Sequence, residues 1–123
     1  MKSVLLVDDS LFVRKSLKDI LIQNGYSIVG EATDGYEAIE KYENCFPDIV
    51  LMDIVMPFMN GMEASKEILK LHPNAKIVVL SALGKQEDII SLFKIGVKDY
   101  ITKPFNQEKF LEIIDFQLKP KIS

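Results

Sequence analysis

Ile49-Val50-Leu51-Met52 is an unbroken apolar run that ends on a carboxylate, Asp53. A strand that is apolar at every position must be covered on both faces, which places it inside a sheet with helices above and below. Val4-Leu5-Leu6-Val7 and Ile77-Val78-Val79-Leu80 repeat the pattern, and each also gives way to polar residues. Weaker strands read from Ser27 to Ala32 and from Asp99 to Thr102. Pro57 stops regular structure from continuing beyond the central run.

Helical spacing fills the intervals. Leu11 to Ile22 groups Leu11, Leu17 and Leu21 beside Phe12 and Ile20, with Arg14, Lys15, Lys18 and Asp19 elsewhere. Asn24-Gly25 closes this helix. Asp34-Gly35-Tyr36-Glu37 resembles a capping box and opens a helix reaching about Asn44, with Ala38, Ile39 and Tyr42 inward. A Met- and Asn-rich loop ends at Gly61, and Met62 to Leu71 forms a third helix before His72-Pro73. A fourth spans Glu87 to Ile95 with Gly96 as its cap. The last runs from Glu108 to about Leu118, capped by Asn106 and broken by Pro120.

Strand and helix therefore alternate five times with short connections, the pattern of a doubly wound α/β fold built on a parallel sheet. The 123 residues suit a single domain over 1–123, with 119–123 as a tail and no effector domain. A formal net charge of −3 and no Lys/Arg cluster argue against direct nucleic-acid binding. Apolar runs are strand-sized, so no membrane span is expected, and the first residues lack the blocks of a signal peptide. Cys45 is the only cysteine, which excludes an internal disulfide and a cysteine zinc site. The cytoplasm is the expected compartment.

In an open parallel sheet, the functional crevice lies beyond the C-terminal strand ends where the strand order reverses. Asp8 and Asp9 follow the first strand, Asp53 the third, Ser81 the fourth and Lys103 the fifth. Carboxylates that converge repel one another unless a cation joins them, and hard oxygen donors with an incomplete protein shell suit Mg²⁺. A lysine and a hydroxyl in the same crevice supply what a transferred phosphoryl group needs. An aspartate can itself be the nucleophile. The residues read as a Mg²⁺-assisted phosphoryl acceptor.

Asp8-Asp9, Met52-Asp53-Ile54-Val55-Met56-Pro57, Ser81-Ala82 and Lys103-Pro104-Phe105 together resemble, in order and spacing, the response-regulator receiver domain. The resemblance covers residues 3 to about 118 and implies a flavodoxin-like (βα)5 fold with strand order 2-1-3-4-5. It implies that Asp53 takes a phosphoryl group from a histidine kinase. Asp8, Asp9, Asp53 and the backbone carbonyl of Val55 would hold Mg²⁺. Lys103 would pair with the phosphoryl oxygens ahead of a cis peptide at Pro104. Ser81 would be drawn toward the phosphoryl group, letting Tyr100 swing inward and changing the surface offered to a partner. Such a chain is a signalling switch, and catalyses only its own phosphorylation and dephosphorylation.

Ser81 to Gln86 is similar to a stretch in chemotaxis-type members, which points to an output partner at the flagellar motor switch. The alternatives are a phosphorelay intermediate or the receiver of a DNA-binding regulator, and then a Mg²⁺-dependent phosphohydrolase. The last would need a second aspartate at Val55. A flavodoxin-like cofactor binder would need a phosphate loop where Asp8-Asp9 stands. Two departures from the family pattern are Ser81 where many members carry Thr, and apolar residues at Val55 and Leu83. Neither Val55 nor Leu83 can orient an attacking water, so slow self-dephosphorylation is expected, with a partner phosphatase supplying the polar group.

Met52, Met56, Met59 and Met62 follow no ligand geometry and read as packing. His72 reads as a surface residue, Cys45 as a small buried hydrophobe, and Phe105 and Phe110 as packing for the last helix.

Overall fold

The computed structural model describes residues 1–82 and 86–119, without the side chains of 86–88. The elements are β1 (Ser3–Val7), α1 (Leu11–Gln23), β2 (Ser27–Ala32), α2 (Gly35–Cys45), β3 (Ile49–Asp53), α3 (Gly61–Leu71), β4 (Ile77–Ala82), α4 (Gln86–Ile95), β5 (Asp99–Lys103) and α5 (Gln107–Leu118). All strand pairs are parallel, in the order β2-β1-β3-β4-β5. This is the flavodoxin-like doubly wound sheet. The order reverses between β1 and β3, which puts the crevice at the exits of those two strands.

The unbroken apolar strands are explained by two separate cores. Successive strand residues point to opposite faces. Leu5, Val7, Val50 and Met52 thus join Ala38, Tyr42, Ala64, Ile68 and Leu92 of α2, α3 and α4 in one core. Val4, Leu6, Ile49 and Leu51 join Leu17, Leu21, Phe110, Ile114 and Leu118 of α1 and α5 in the other. Phe110 is fully buried and stacks on Phe105, with ring centroids 5.1 Å apart. The methionines pack as expected: Met52 and Met56 are buried, and Met59 and Met62 lie against the same core.

Helix starts follow from capping chemistry. Ser10, Asp34, Asn60 and Asn106 each accept a hydrogen bond from the backbone N–H three residues on. The full reciprocal box forms at Asn60 and Glu63, so α3 begins at Gly61 inside what reads from sequence as loop. At α2, Glu37 turns instead to the N–H and hydroxyl of Thr33, leaving Asp34 a one-sided cap. Gly25 (φ 87°) and Gly96 (φ 111°) supply the left-handed residues after α1 and α4. No described helix is long and apolar enough to cross a membrane.

Four side chains depart from expectation. Leu11 and Phe12 are 69% and 79% exposed and join neither core, and Phe12 lines a cleft with Leu17, Pro104 and Phe105. Cys45 is half-buried, its Sγ 3.4 Å from the carbonyl of Val29. His72 is partnered across α2 and α3, with Nε2 2.7 Å from Glu43 and its ring against Tyr42 and Phe46. Leu83 and the break at Pro120 lie outside the described residues.

Candidate functional site

Each functional side chain sits where a strand stops. Asp8 follows β1 directly, its N–H donating to the carbonyl of Ala32 at the end of β2 (3.0 Å). One of its carboxylate oxygens accepts from the N–H of Ser10 (2.9 Å), the residue that caps α1. Asp53 is the last residue of the fully buried strand β3. The loop after it is fastened at both ends: the N–H of Gly61 donates to the carbonyl of Ile54, and that of Gly35 to the carbonyl of Met59, each at 2.8 Å. Within the loop, Met59 donates to Pro57, making a γ-turn centred on Phe58 in a left-handed conformation (φ 67°).

Glycine is required at the first fastening point. A Cβ at Gly61 would lie 2.0 Å from the carbonyl oxygen of Asp53 and 2.9 Å from the Cα of Ile54. The start of α3 is therefore seated directly against the backbone of the β3 exit, a closeness that any side chain would prevent.

Carboxylate oxygens of Asp8, Asp9 and Asp53 lie within 4.8 Å of one another. Asp8 and Asp53 are buried, whereas Asp9 is exposed. Lys103, the last residue of β5, reaches across the sheet to both buried acids: Nζ is 3.2 Å from Asp8 Oδ2 and 3.3 Å from Asp53 Oδ1. Burial, together with the charge of Asp8, raises the pKa of Asp53 above the ordinary carboxylate value despite the opposing ammonium of Lys103. Burial disfavours the Lys103 ammonium, but Asp53 and Asp8 outweigh it and raise its pKa.

Among the described residues, Lys103 is the cation paired with this cluster, and it meets two of the three carboxylates. The cluster's donors are all hard oxygens, one of them exposed to solvent, which fits a small divalent ion that keeps part of its water shell. The residues fit Mg²⁺.

Beside the cluster, Asp53, Ile54, Val55, Leu80, Ser81, Ala82 and Lys103 line a cleft of about 230 Å³. Ser81 is buried there, its hydroxyl donating to the carbonyl of Ala82 (3.2 Å). The side chain of Val55 is 70% exposed, at the mouth of the cleft. The Lys103–Pro104 peptide is cis. Tyr100 lies apart from the cluster, half-buried and edge-on to Phe93 of α4 at 6.0 Å between ring centroids. Asp8, Asp9, Asp53 and Lys103 are therefore brought together, Ser81 shares their cleft, and Tyr100 stands on the neighbouring face.

Sequence reasoning missed Arg14 and Glu31. Arg14 Nη1 donates to the backbone carbonyl of Asp8 (2.7 Å), and its Nε to Glu31 Oε1 (3.0 Å). Lys18 Nζ lies 2.6 Å from the other oxygen of Glu31. Lys18, with Arg14 behind it, holds the Glu31 carboxyl below the usual range. The signal was present: Arg14 stands three residues before Leu17 and seven before Leu21, on the buried stripe of α1. A cation on that stripe needs a buried partner.

Comparison with known proteins agrees with this geometry. The family model described as the response regulator receiver domain matches residues 4–115. The chemotaxis protein CheY of Thermotoga maritima is 54% identical over 114 residues, covering 93% of this chain and 95% of that protein. CheY of Bacillus subtilis is 46% identical over 112 residues, covering 91% and 93%. Among solved structures, the CheX-CheY-BeF3-Mg²⁺ complex from Borrelia burgdorferi superposes with a TM-score of 0.90 at 38% identity, covering 94% of this chain and 87% of that one. The response regulator domain of Thermotoga maritima CheB gives 0.89 at 36%, covering 99% of both. With that match along most of its length, and with aspartates and a lysine gathered at the strand exits, the chain belongs to the response-regulator receiver family.

Proposed function

We propose that this chain is a phosphorylation-activated switch of a two-component system, that Asp53 accepts the phosphoryl group from a histidine kinase, and that the output is chemotaxis. The carrying observation is the Lys103 ammonium set between the buried carboxylates of Asp8 and Asp53, at the mouth of a cleft large enough for a phosphoryl group. The names of the relatives support the chemotactic output.

An Asp53 oxygen attacks phosphorus, a P–O bond forms, the P–N bond to the donor histidine breaks, and the leaving imidazole takes up a proton. Lys103 is placed to balance the negative charge that spreads over the phosphoryl oxygens. Asp8, Asp9, Asp53 and the Val55 carbonyl are the residues to hold Mg²⁺, which when bound supplies a second positive charge for those oxygens. The Ser81 hydroxyl, spent on its neighbour Ala82 in this structure, can turn into the cleft to donate to the phosphoryl group. That turn vacates space next to β5, and Tyr100, already half-buried against Phe93, is the side chain placed to respond. The partner-binding surface then changes with phosphorylation. An apolar, exposed Val55 gives no second acid for a phosphohydrolase.

We assign the whole chain to one receiver unit working in the cytoplasm, with a histidine kinase, a motor-switch protein and a phosphatase as partners. Transfer from a phosphorylated chemotaxis histidine kinase tests the reading. Label should pass to wild-type protein only with Mg²⁺ and never to Asp53→Asn. Label on Asp53→Asn at the wild-type rate would place the acceptor elsewhere.

A further inference from the structure

Asp9 is the exposed member of the acidic trio, so its position depends on the peptide that precedes it. That peptide carries the Asp8 carbonyl, and the group that holds it is Arg14, at 2.7 Å. Arg14 is itself locked. Its side chain is only 11% exposed, its Nε is bonded to Glu31 at the end of β2, and Lys18 pins the far oxygen of Glu31. The N–H of Asp8 is fixed to β2 as well, through Ala32. Both sides of the Asp8 backbone are thereby tied to the same strand end, one directly and one through a guanidinium.

We propose that Arg14 is a positioning residue for the cation site: by holding the Asp8–Asp9 peptide against β2, the Arg14–Glu31 pair sets where the Asp8 and Asp9 carboxylates meet Asp53. This rests on the reading of the cluster as a Mg²⁺ site. A guanidinium suits the task because one planar fork can bond a carbonyl and a carboxylate at once. Neither Arg14 nor Glu31 touches the cleft beside Asp53.

The sign of the effect separates positioning from charge. Arg14 is a cation close to a cation site, so by Coulomb's law alone its removal would tighten Mg²⁺ binding. Positioning predicts the reverse: groups that orient metal ligands typically contribute tenfold or more to affinity.

The test is calorimetric titration of Mg²⁺ into wild type, Arg14→Met and Glu31→Gln at fixed ionic strength, with urea unfolding in chelator to report stability separately. Arg14→Met should bind Mg²⁺ about tenfold more weakly. Glu31→Gln keeps the cation and loosens its anchor, so it should also lose affinity at an ionic strength high enough to screen the charge it removes, and it should still fold if Arg14→Met does not. A folded Arg14→Met that binds Mg²⁺ as tightly as wild type, or more tightly, overturns the proposal, as does unchanged affinity in Glu31→Gln. Wild-type protein that binds no Mg²⁺ overturns the site reading itself and this inference with it. Mg²⁺ affinity lower in both folded variants than in wild type is the result that supports it.

Discussion

Asp53 is a carboxyl pulled in opposing directions. Burial and Asp8 favour its neutral form, Lys103 favours its charged form, and the first two prevail. Since its pKa is higher folded than unfolded, folding favours the protonated carboxyl. The associated stability is full below the unfolded pKa and is lost as pH rises through the folded one. Asp53→Asn imitates the neutral carboxyl at every pH. In chelator at pH 7 it should be more stable than wild type by roughly 1–2 kcal/mol, and the gain should shrink as pH falls toward the carboxylate range. Urea unfolding across that window checks both the sign and the trend; equal stabilities at pH 7 would contradict the electrostatics described for the cluster. Val55 is the other single residue with a kinetic consequence. Its apolar side chain at the mouth of the cleft cannot hold a water in line with the phosphoryl group. Val55→Asn should therefore change the decay of phosphorylated protein by roughly tenfold or more. Indistinguishable decay curves would count against water positioning as the limit on lifetime.

At the scale of elements, the site depends on how closely α3 seats against the exit of β3. Gly61→Ala would drive a methyl group into the Asp53 carbonyl, so the strand end or the helix must move. The cost should be about 2–3 kcal/mol, with slower phosphoryl acceptance, because the atoms displaced carry Asp53 itself. Thermal unfolding and acceptance rate should shift together; a full loss of stability at normal rate would detach the helix from the chemistry. Elements were also where the sequence spoke most clearly. Strands apolar at every position could only be mid-sheet, and both cores confirm it. The start of α3 was legible to within one residue, Met62 expected against Gly61 found, because the capping box that fixes it shows only when Asn60 is paired with Glu63. The first turn of α1 misled for the opposite reason: Leu11 and Phe12 fit the helical period, yet they join neither core. Arg14 was hidden among surface cations, although its spacing to Leu17 and Leu21 put it on the buried stripe.

The whole molecule explains why residues so distant in sequence meet. Asp8, Asp53 and Lys103 terminate strands one, three and five, and parallel pairing brings every exit to one end of the sheet. Lys103 sits on edge strand β5, so its ammonium must cross β4 to reach Asp53, and Ser81 lies on the strand it crosses. Asp53 pairs with Leu80 of β4, and Ser81 of β4 pairs with Thr102 of β5, so β4 lies between Asp53 and the edge strand that carries Tyr100. The arrangement is legible from sequence once the topology is assumed; the orientation of Ser81 toward Ala82 is not, since a hydroxyl rotor leaves no trace in residue spacing.

The most direct measurement uses a small phosphodonor and no partner protein, which separates the acceptor chemistry from kinase recognition. Intact-protein mass is followed with Mg²⁺ or chelator, for wild type and Asp53→Asn. Wild type should gain one phosphoryl group only when Mg²⁺ is present, and Asp53→Asn should gain none. A gain in chelator equal to that in Mg²⁺, or an equal gain in Asp53→Asn, would contradict a cation-assisted acceptor at Asp53.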